Sequence, residues 1–299
     1  MKPRSPLYRY PAARDGAIAA ESRTVQSPQT TSSSYKLSYN DFDFLTREEL
    51  RPVRLQLELL KPELLQQEHG VKGTVVVFGG SRIPDKETAL EKVQQAEAAA
   101  ANQPENPDLQ RRVGIARRIL AKSGYYQEAR KLGTLISHIC HNRTGCNLFV
   151  ITGGGPGIME AANRGADDAG ARSIGLNIVL PHEQAPNRYI TPELCFQFHY
   201  FSIRKMHFLM RAQALVAFPG GFGTLDELFE TLTLIQTKKI EPLPVLLFGR
   251  TFWQKAINFE FLVEEGVISA DHLNIFKYVE TAEEAADIIK DYFDSQVPK

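Results

Sequence analysis

The chain has 299 residues, 43% of them hydrophobic, and its 35 basic side chains are matched by 35 acidic ones. That composition supports one or two globular domains with a sizeable core. A formal net charge of zero supplies no basic field for nucleic acid or an anionic membrane. No apolar run approaches the ~18–20 residues of a membrane span. The sequence therefore predicts no nucleic-acid partner and no membrane partner.

In chain order, residues 1–40 are rich in Ser, Thr, Gln, Pro, Arg and Tyr and poor in aliphatic side chains. They read as a disordered tail. Arg4, Arg9, Arg14 and Arg23 give it a faint transit-peptide flavour, but Pro3, Pro6 and Pro11 interrupt any amphipathic helix. Residues 41–72 form a helical extension. Thr46-Arg47-Glu48-Glu49 has capping-box spacing ahead of Leu50, Val53, Leu57 and Leu60, and Pro62 is expected to break or restart that helix.

Residues 73–299 carry the main domain. Thr74 to Phe78 is a continuous β-branched and aromatic run, suited to a strand buried on both faces. It exits through Gly79, Gly80 and Ser81, which can bring backbone N–H groups and a hydroxyl to a ligand; Arg82 follows as a phosphate partner or a solvated cation. Helical segments Lys86 to Ala101 and Asp108 to Asn142, split by Asn102 to Pro107, are long for one crossover. A helical insertion at about 85–125 accounts for the excess. His138, Cys140, His141 and Cys146 lie close in sequence without metal-ligand spacing, so no metal is expected. With Cys195 the cysteines number three, which suits a reducing cytoplasm.

Leu148 to Thr152 is the second strand, followed by Gly153-Gly154-Gly155-Pro156-Gly157 and a helix carrying Met159 and Glu160. Pro156 fits a first helical turn. The glycines lack the spacing of dinucleotide enzymes, and Asn177 stands where the ribose-binding acid would end the next strand. Glu160 is either a dipole-stabilising acid or a ligand-facing carboxylate. Ser173 to Leu180 and Leu194 to Phe198 are the third and fourth strands, the fourth toward an edge. Ser202 is expected to cap a helix holding Arg204 and Lys205 in its first turn, where cations oppose the dipole unless an anion is near. His207 reads as packed or solvated.

Ala214 to Phe218 is the fifth strand, Pro219-Gly220-Gly221-Phe222-Gly223 its loop, and Thr224 the expected start of a helix with apolar positions Leu225, Leu228, Phe229, Leu232 and Ile235. Loop amides and an uncapped helix terminus favour phosphate. Glu227 has two readings. With Thr224 it fits a capping box; alternatively it is a carboxylate held beside a phosphoester and aimed at the sugar. Pro244 to Gly249 is a sixth strand, Trp253 and Phe259 to Val263 give an amphipathic helix, and Thr281-Ala282-Glu283-Glu284 caps a last one. Strands alternating with helices give an α/β fold: a Rossmann-like, doubly wound parallel sheet with helices on both faces, plus the N-terminal helical extension. Its glycine loops fall at strand carboxyl ends, where such sheets bind ligands.

Three motifs in order, Gly153 to Ala161, Arg204-Lys205 and Pro219 to Glu227, resemble the LOG ("lonely guy") family of nucleotide hydrolases. The resemblance spans roughly Thr74 to Phe293, and the N-terminal extension and insertion resemble its longer-chain branch. It implies cleavage of a nucleoside 5′-monophosphate, AMP or a cytokinin riboside monophosphate, to free base and ribose 5-phosphate, with no cofactor. It implies Arg204 and Glu227 as catalytic residues. Substrate would be held by Gly80, Ser81, Gly154, Gly155, Met159, Glu160, Lys205, Gly220, Gly221, Phe222, Gly223 and Thr224. It further implies a homo-oligomer with shared active sites. The alternative is a non-catalytic carrier of a nucleotide or molybdenum cofactor, which needs no carboxylate over the sugar. A lysine decarboxylase needs a pyridoxal-phosphate lysine with a ring-nitrogen partner, and no such constellation is evident.

Overall fold

A computed structural model describes residues 12–22, 25–139, 148–181 and 185–296. Arg4, Arg9 and Arg23, together with Cys140, His141 and Cys146, lie outside the described residues. The chain divides into two compact units, Met1–Glu58 and Leu59–Lys299. In the first, helix α1 (Ala13–Ser22) and the short α2 (Phe42–Leu45) are joined by 3-10 turns. The Tyr39 hydroxyl donates to the Ala13 carbonyl. Helix α3 (Arg51–Glu68) runs through the division and passes Pro62 without a break. Thr46 does not open it: its hydroxyl donates back to Phe42 at the end of α2.

The second unit is built on β1 (Gly73–Phe78). Three helices follow, α4 (Lys86–Ala101), α5 (Pro107–Lys122) and α6 (Gly124–Ile139). Asn106 caps α5 and Pro107 fills its first turn, so α4 and α5 form a hairpin, linked by Arg117 and Glu97. Then come β2 (Leu148–Thr152), α7 (Ile158–Asp168), β3 (Ser173–Ile178), β4 (Cys195–Phe198), α8 (Phe201–Leu209), β5 (Ala212–Ala217) and α9 (Phe222–Gln236). The chain finishes with β6 (Val245–Phe248), α10 (Arg250–Ala256), α11 (Phe259–Glu264), β7 (Phe276–Val279) and α12 (Ala282–Gln296). Among the described residues no helix is long and apolar enough to cross a membrane.

All seven strands lie in one sheet, in the order β4-β3-β2-β1-β5-β6-β7, and every pairing is parallel. Successive β1 side chains alternate between two cores. Val75 and Val77 pack under α6, α7 and α12, whereas Val76 and Phe78 pack with residues of α8 to α11. Burial on both faces explains why the strands read as unbroken apolar runs. On the first face, α6 and α7 approach so closely that a Cβ on Gly165 would collide with the Arg130 carbonyl.

The winding direction reverses at β1. From β1 the chain builds outward through β2, β3 and β4, then crosses back to place β5 on the other side of β1. The loops leaving β1 and β5 therefore diverge and open a crevice at the carboxyl edge, the switch point of such sheets. Two bonds tie these loops together: Phe218 N–H to the Phe78 carbonyl and Gly80 N–H to the Pro219 carbonyl, both 2.9 Å.

Candidate active site

The crevice is a cleft of about 310 Å³. Phe78, Gly79, Gly80 and Ser81 form one side; Gly221, Phe222, Gly223, Thr224, Asp226 and Glu227 form another; Met159, Phe201 and Arg204 close it. A larger cavity, about 520 Å³, opens near the amino ends of β6 and β7, and neither glycine loop nor a buried acid lines it.

Helix α9 begins two residues before the expected start. Gly221 is its N-cap, with no side-chain cap bond. Thr224 is therefore the third helical residue, not the cap, and the capping box with Glu227 is not formed. Phe222, Gly223 and Thr224 are the first three helical residues, whose N–H groups have no intrahelical acceptor; the first α9 bond to the loop is Leu225 N–H to Gly221. The Thr224 side chain instead turns back over Gly220, where its hydroxyl would lie 2.1 Å from any added Cβ. Gly220 is thus a packing position under the loop. Gly221 and Gly223 have open space where a Cβ would stand, and both line the cleft.

Glu227 sits on the second turn of α9 and is 7% exposed. No described group hydrogen-bonds its carboxyl. Burial pushes it from the ordinary 4.5 up to about 7, with Arg204 and then Lys205 pulling the other way. Arg204 comes from α8, whose N-cap is Tyr200 and not Ser202. Its Nε donates 2.8 Å to the Leu176 carbonyl of β3, and its guanidinium lies over the rings of Phe208 and Phe201. Burial lowers its pKa while Glu227 opposes that. A desolvated cation and a desolvated acid thus face one cleft, each making the other's charge less costly.

The remaining sequence-predicted residues stand behind or outside the wall. Glu160 accepts 2.9 Å from the Tyr126 hydroxyl, whose pKa burial raises to about 12. Lys205, which is not in the cleft lining, pairs with Asp226 and Glu230 of α9 at 3.0 and 3.1 Å. Gly154 spends its N–H on the Thr152 hydroxyl, 3.0 Å, and takes its left-handed φ of 76° beneath Asn177. Gly155 packs under Met159. His207 is buried, away from the cleft lining. Phe201 and Asp226 also line the cleft; Asp226 lies within the Pro219–Glu227 motif without standing out there as a site residue, and Phe201, an aromatic near a helix start, carries no sequence signal.

An all-parallel, doubly wound sheet whose glycine loops meet at the switch point, beside an uncapped helix terminus, defines a Rossmann-like α/β protein with an anion-directed cleft. Two relatives from Arabidopsis thaliana are each named cytokinin riboside 5′-monophosphate phosphoribohydrolase. LOG1 is 32% identical over 178 residues, covering 57% of this chain and 78% of the relative; LOG3 is 30% identical over 177 residues, covering 57% and 77%. The chain belongs to the LOG family. Residues 159–289 match the family described as "Possible lysine decarboxylase". Among solved structures, the molybdenum cofactor carrier protein from Chlamydomonas reinhardtii matches 75% of this chain and 99% of its own, at 17% identity and a TM-score of 0.42. Similarity at that level bears on neither ligand nor activity.

Proposed function

We propose that the protein hydrolyses the N-glycosidic bond of a nucleoside 5′-monophosphate, a cytokinin riboside 5′-monophosphate or AMP, to free base and ribose 5-phosphate. One observation carries this: a buried carboxyl, Glu227, without a hydrogen-bond partner among the described residues, lies just beyond an uncapped helix terminus. The amides of Phe222, Gly223 and Thr224 take the 5′-phosphate, aided by the helix dipole. Glu227 follows Thr224 by three residues, about 4.5 Å along the axis, and helical side chains lean toward the N-terminus. Its carboxyl therefore overhangs the ribose of a nucleotide anchored by its phosphate.

Cleavage passes through an oxocarbenium-like state in which the C1′–N bond has largely broken. The ionised Glu227 stabilises that positive charge or takes a proton from the water that attacks C1′. The bonding pair leaves with the base, the water oxygen bonds to C1′, and the proton that water gives up, through Glu227 or solvent, ends on the base. Arg204 favours the ionised form of Glu227 against its burial and meets a ribose or phosphate oxygen. Phosphate binding, remote from the reacting bond, supplies orientation. A carrier would need neither Glu227 nor Arg204 in its cleft. Among the described residues no lysine lines the cleft, and Lys205 is held by two acids, which disfavours decarboxylase chemistry. Phe222, 92% exposed at the mouth, is an aromatic surface that a second copy would cover, in keeping with sites shared between subunits in the cytoplasm.

Incubation with AMP and with its N6-isopentenyl analogue, assayed for ribose 5-phosphate and free base, tests the activity. Release from at least one, and at least a hundredfold less from the phosphate-free nucleoside, is expected. A protein that binds both nucleotides and releases base from neither refutes hydrolysis.

A further inference from the structure

Behind the cleft lies a buried amide network that the proposed chemistry does not use directly. Asn163 on α7 is fully buried. Its Oδ1 accepts from the Thr152 hydroxyl at 2.7 Å and from the Asn187 side chain at 3.0 Å. The same Asn187 Nδ2 donates to the Gly154 and Gly155 carbonyls at 3.1 and 3.2 Å, and Asn187 N–H adds a second bond to the Gly154 carbonyl at 2.9 Å. With Gly154 N–H committed to Thr152, both polar groups of Gly154 and the Gly155 carbonyl are held from behind.

What the loop supports is Arg204. A Cβ on Gly153 would lie 2.7 Å from Arg204 Nη2, so the guanidinium rests on bare loop backbone. We propose that Asn187 is a positioning residue that fixes the Gly153–Gly155 backbone and, through it, the Arg204 guanidinium in the cleft. Only an amide fits the role. Three oxygens converge on Nδ2, so the side chain must donate, and a carboxylate of the same shape would repel all three. Arg204 is held from its other side by Leu176, so loss of the loop frees one half of its cradle.

This inference rests on the proposed hydrolysis for its kinetic test alone. Asn187→Ala and the isosteric Asn187→Asp should each lower kcat for AMP about tenfold, with KM changed less than twofold, because the phosphate cradle on α9 is untouched. In the Arg204→Ala background Asn187→Ala should cost less than twofold, since coupled positions are non-additive. A tenfold loss that persists in that background, or kcat at the parental value in both single variants, overturns the proposal. A second readout needs no turnover. In the ligand-free protein the Arg204 Nε–H, bonded to Leu176, should exchange with solvent at least fivefold faster in Asn187→Ala at equal folded fraction. Unchanged exchange also overturns it, whereas absent turnover in the parent would count only against the proposed hydrolysis.

Discussion

Glu227 makes opposite predictions for activity and stability. Its carboxyl titrates near 4.5 in an unfolded chain and about 7 when folded, burial being the larger influence and Arg204 the opposing one. Between those values the folded state holds the extra proton. Stability is therefore fully present below pH 4.5 and is lost as pH rises through 7, by about 3 kcal/mol at most. Glu227→Gln should abolish base release, more than a thousandfold in kcat, while AMP still binds. The same variant should unfold at higher denaturant than the parent at pH 8 and at the same denaturant at pH 4. A variant that keeps parental turnover removes Glu227 from the chemistry. Arg204→Lys should lower kcat at least tenfold: a lysine has one compact charge and no planar fork to bridge Leu176 and the cleft. Parental kcat in that variant would show that the guanidinium geometry is not required.

At the scale of elements, much of the site follows from glycine positions, and their packing divides them into two kinds. Gly220 lies under the Thr224 side chain, whereas Gly221 and Gly223 face open space. Gly220→Ala should therefore destabilise the loop and lower the melting temperature, with activity lost as a consequence. Gly223→Ala should fold normally, alanine being the better helix former, yet raise KM for AMP at least tenfold by placing a methyl group over the phosphate amides. Unchanged KM would move the phosphate elsewhere. These loops were legible in the sequence because glycine clusters follow apolar runs at three strand ends, although a single such cluster also suits an ordinary strand-to-helix turn. The start of α9 was not: Thr224 and Glu227 have capping-box spacing, but Gly221 can cap without a side chain, so the helix gains two residues. Pro62 was misleading too: α3 continues through it as one helix. Strand β7, Phe276–Val279, carries only four residues with an exposed lysine, too short for its alternation to show. Asn187 gave no signal, because it lies 24 residues from Asn163 and 33 from Gly154 in the chain.

For the whole molecule, the order of strands decides where chemistry can occur. Reversal at β1 brings the loops of β1 and β5 together, although Gly80 and Pro219 are far apart in sequence, and their direct bond makes the cleft a property of the sheet. Every lining residue lies at or beyond Phe78, inside the unit Leu59–Lys299. Helix α3 also anchors that unit: Arg211, just before β5, grips Glu63 with both terminal guanidinium nitrogens and donates from Nε to the Val71 carbonyl. A chain shortened to residues 51–299 retains this clamp and all the cleft. It should hydrolyse AMP with kcat/KM within threefold of the parent. Shortening to 73–299 removes Glu63 and leaves the Arg211 guanidinium without its carboxylate, a loss of about 3 kcal/mol or more for a largely buried pair, and should lower the unfolding midpoint sharply. If the 51–299 chain folds with parental stability but loses more than tenfold in kcat/KM, the first unit takes part in the reaction, and the cleft is not sufficient for it.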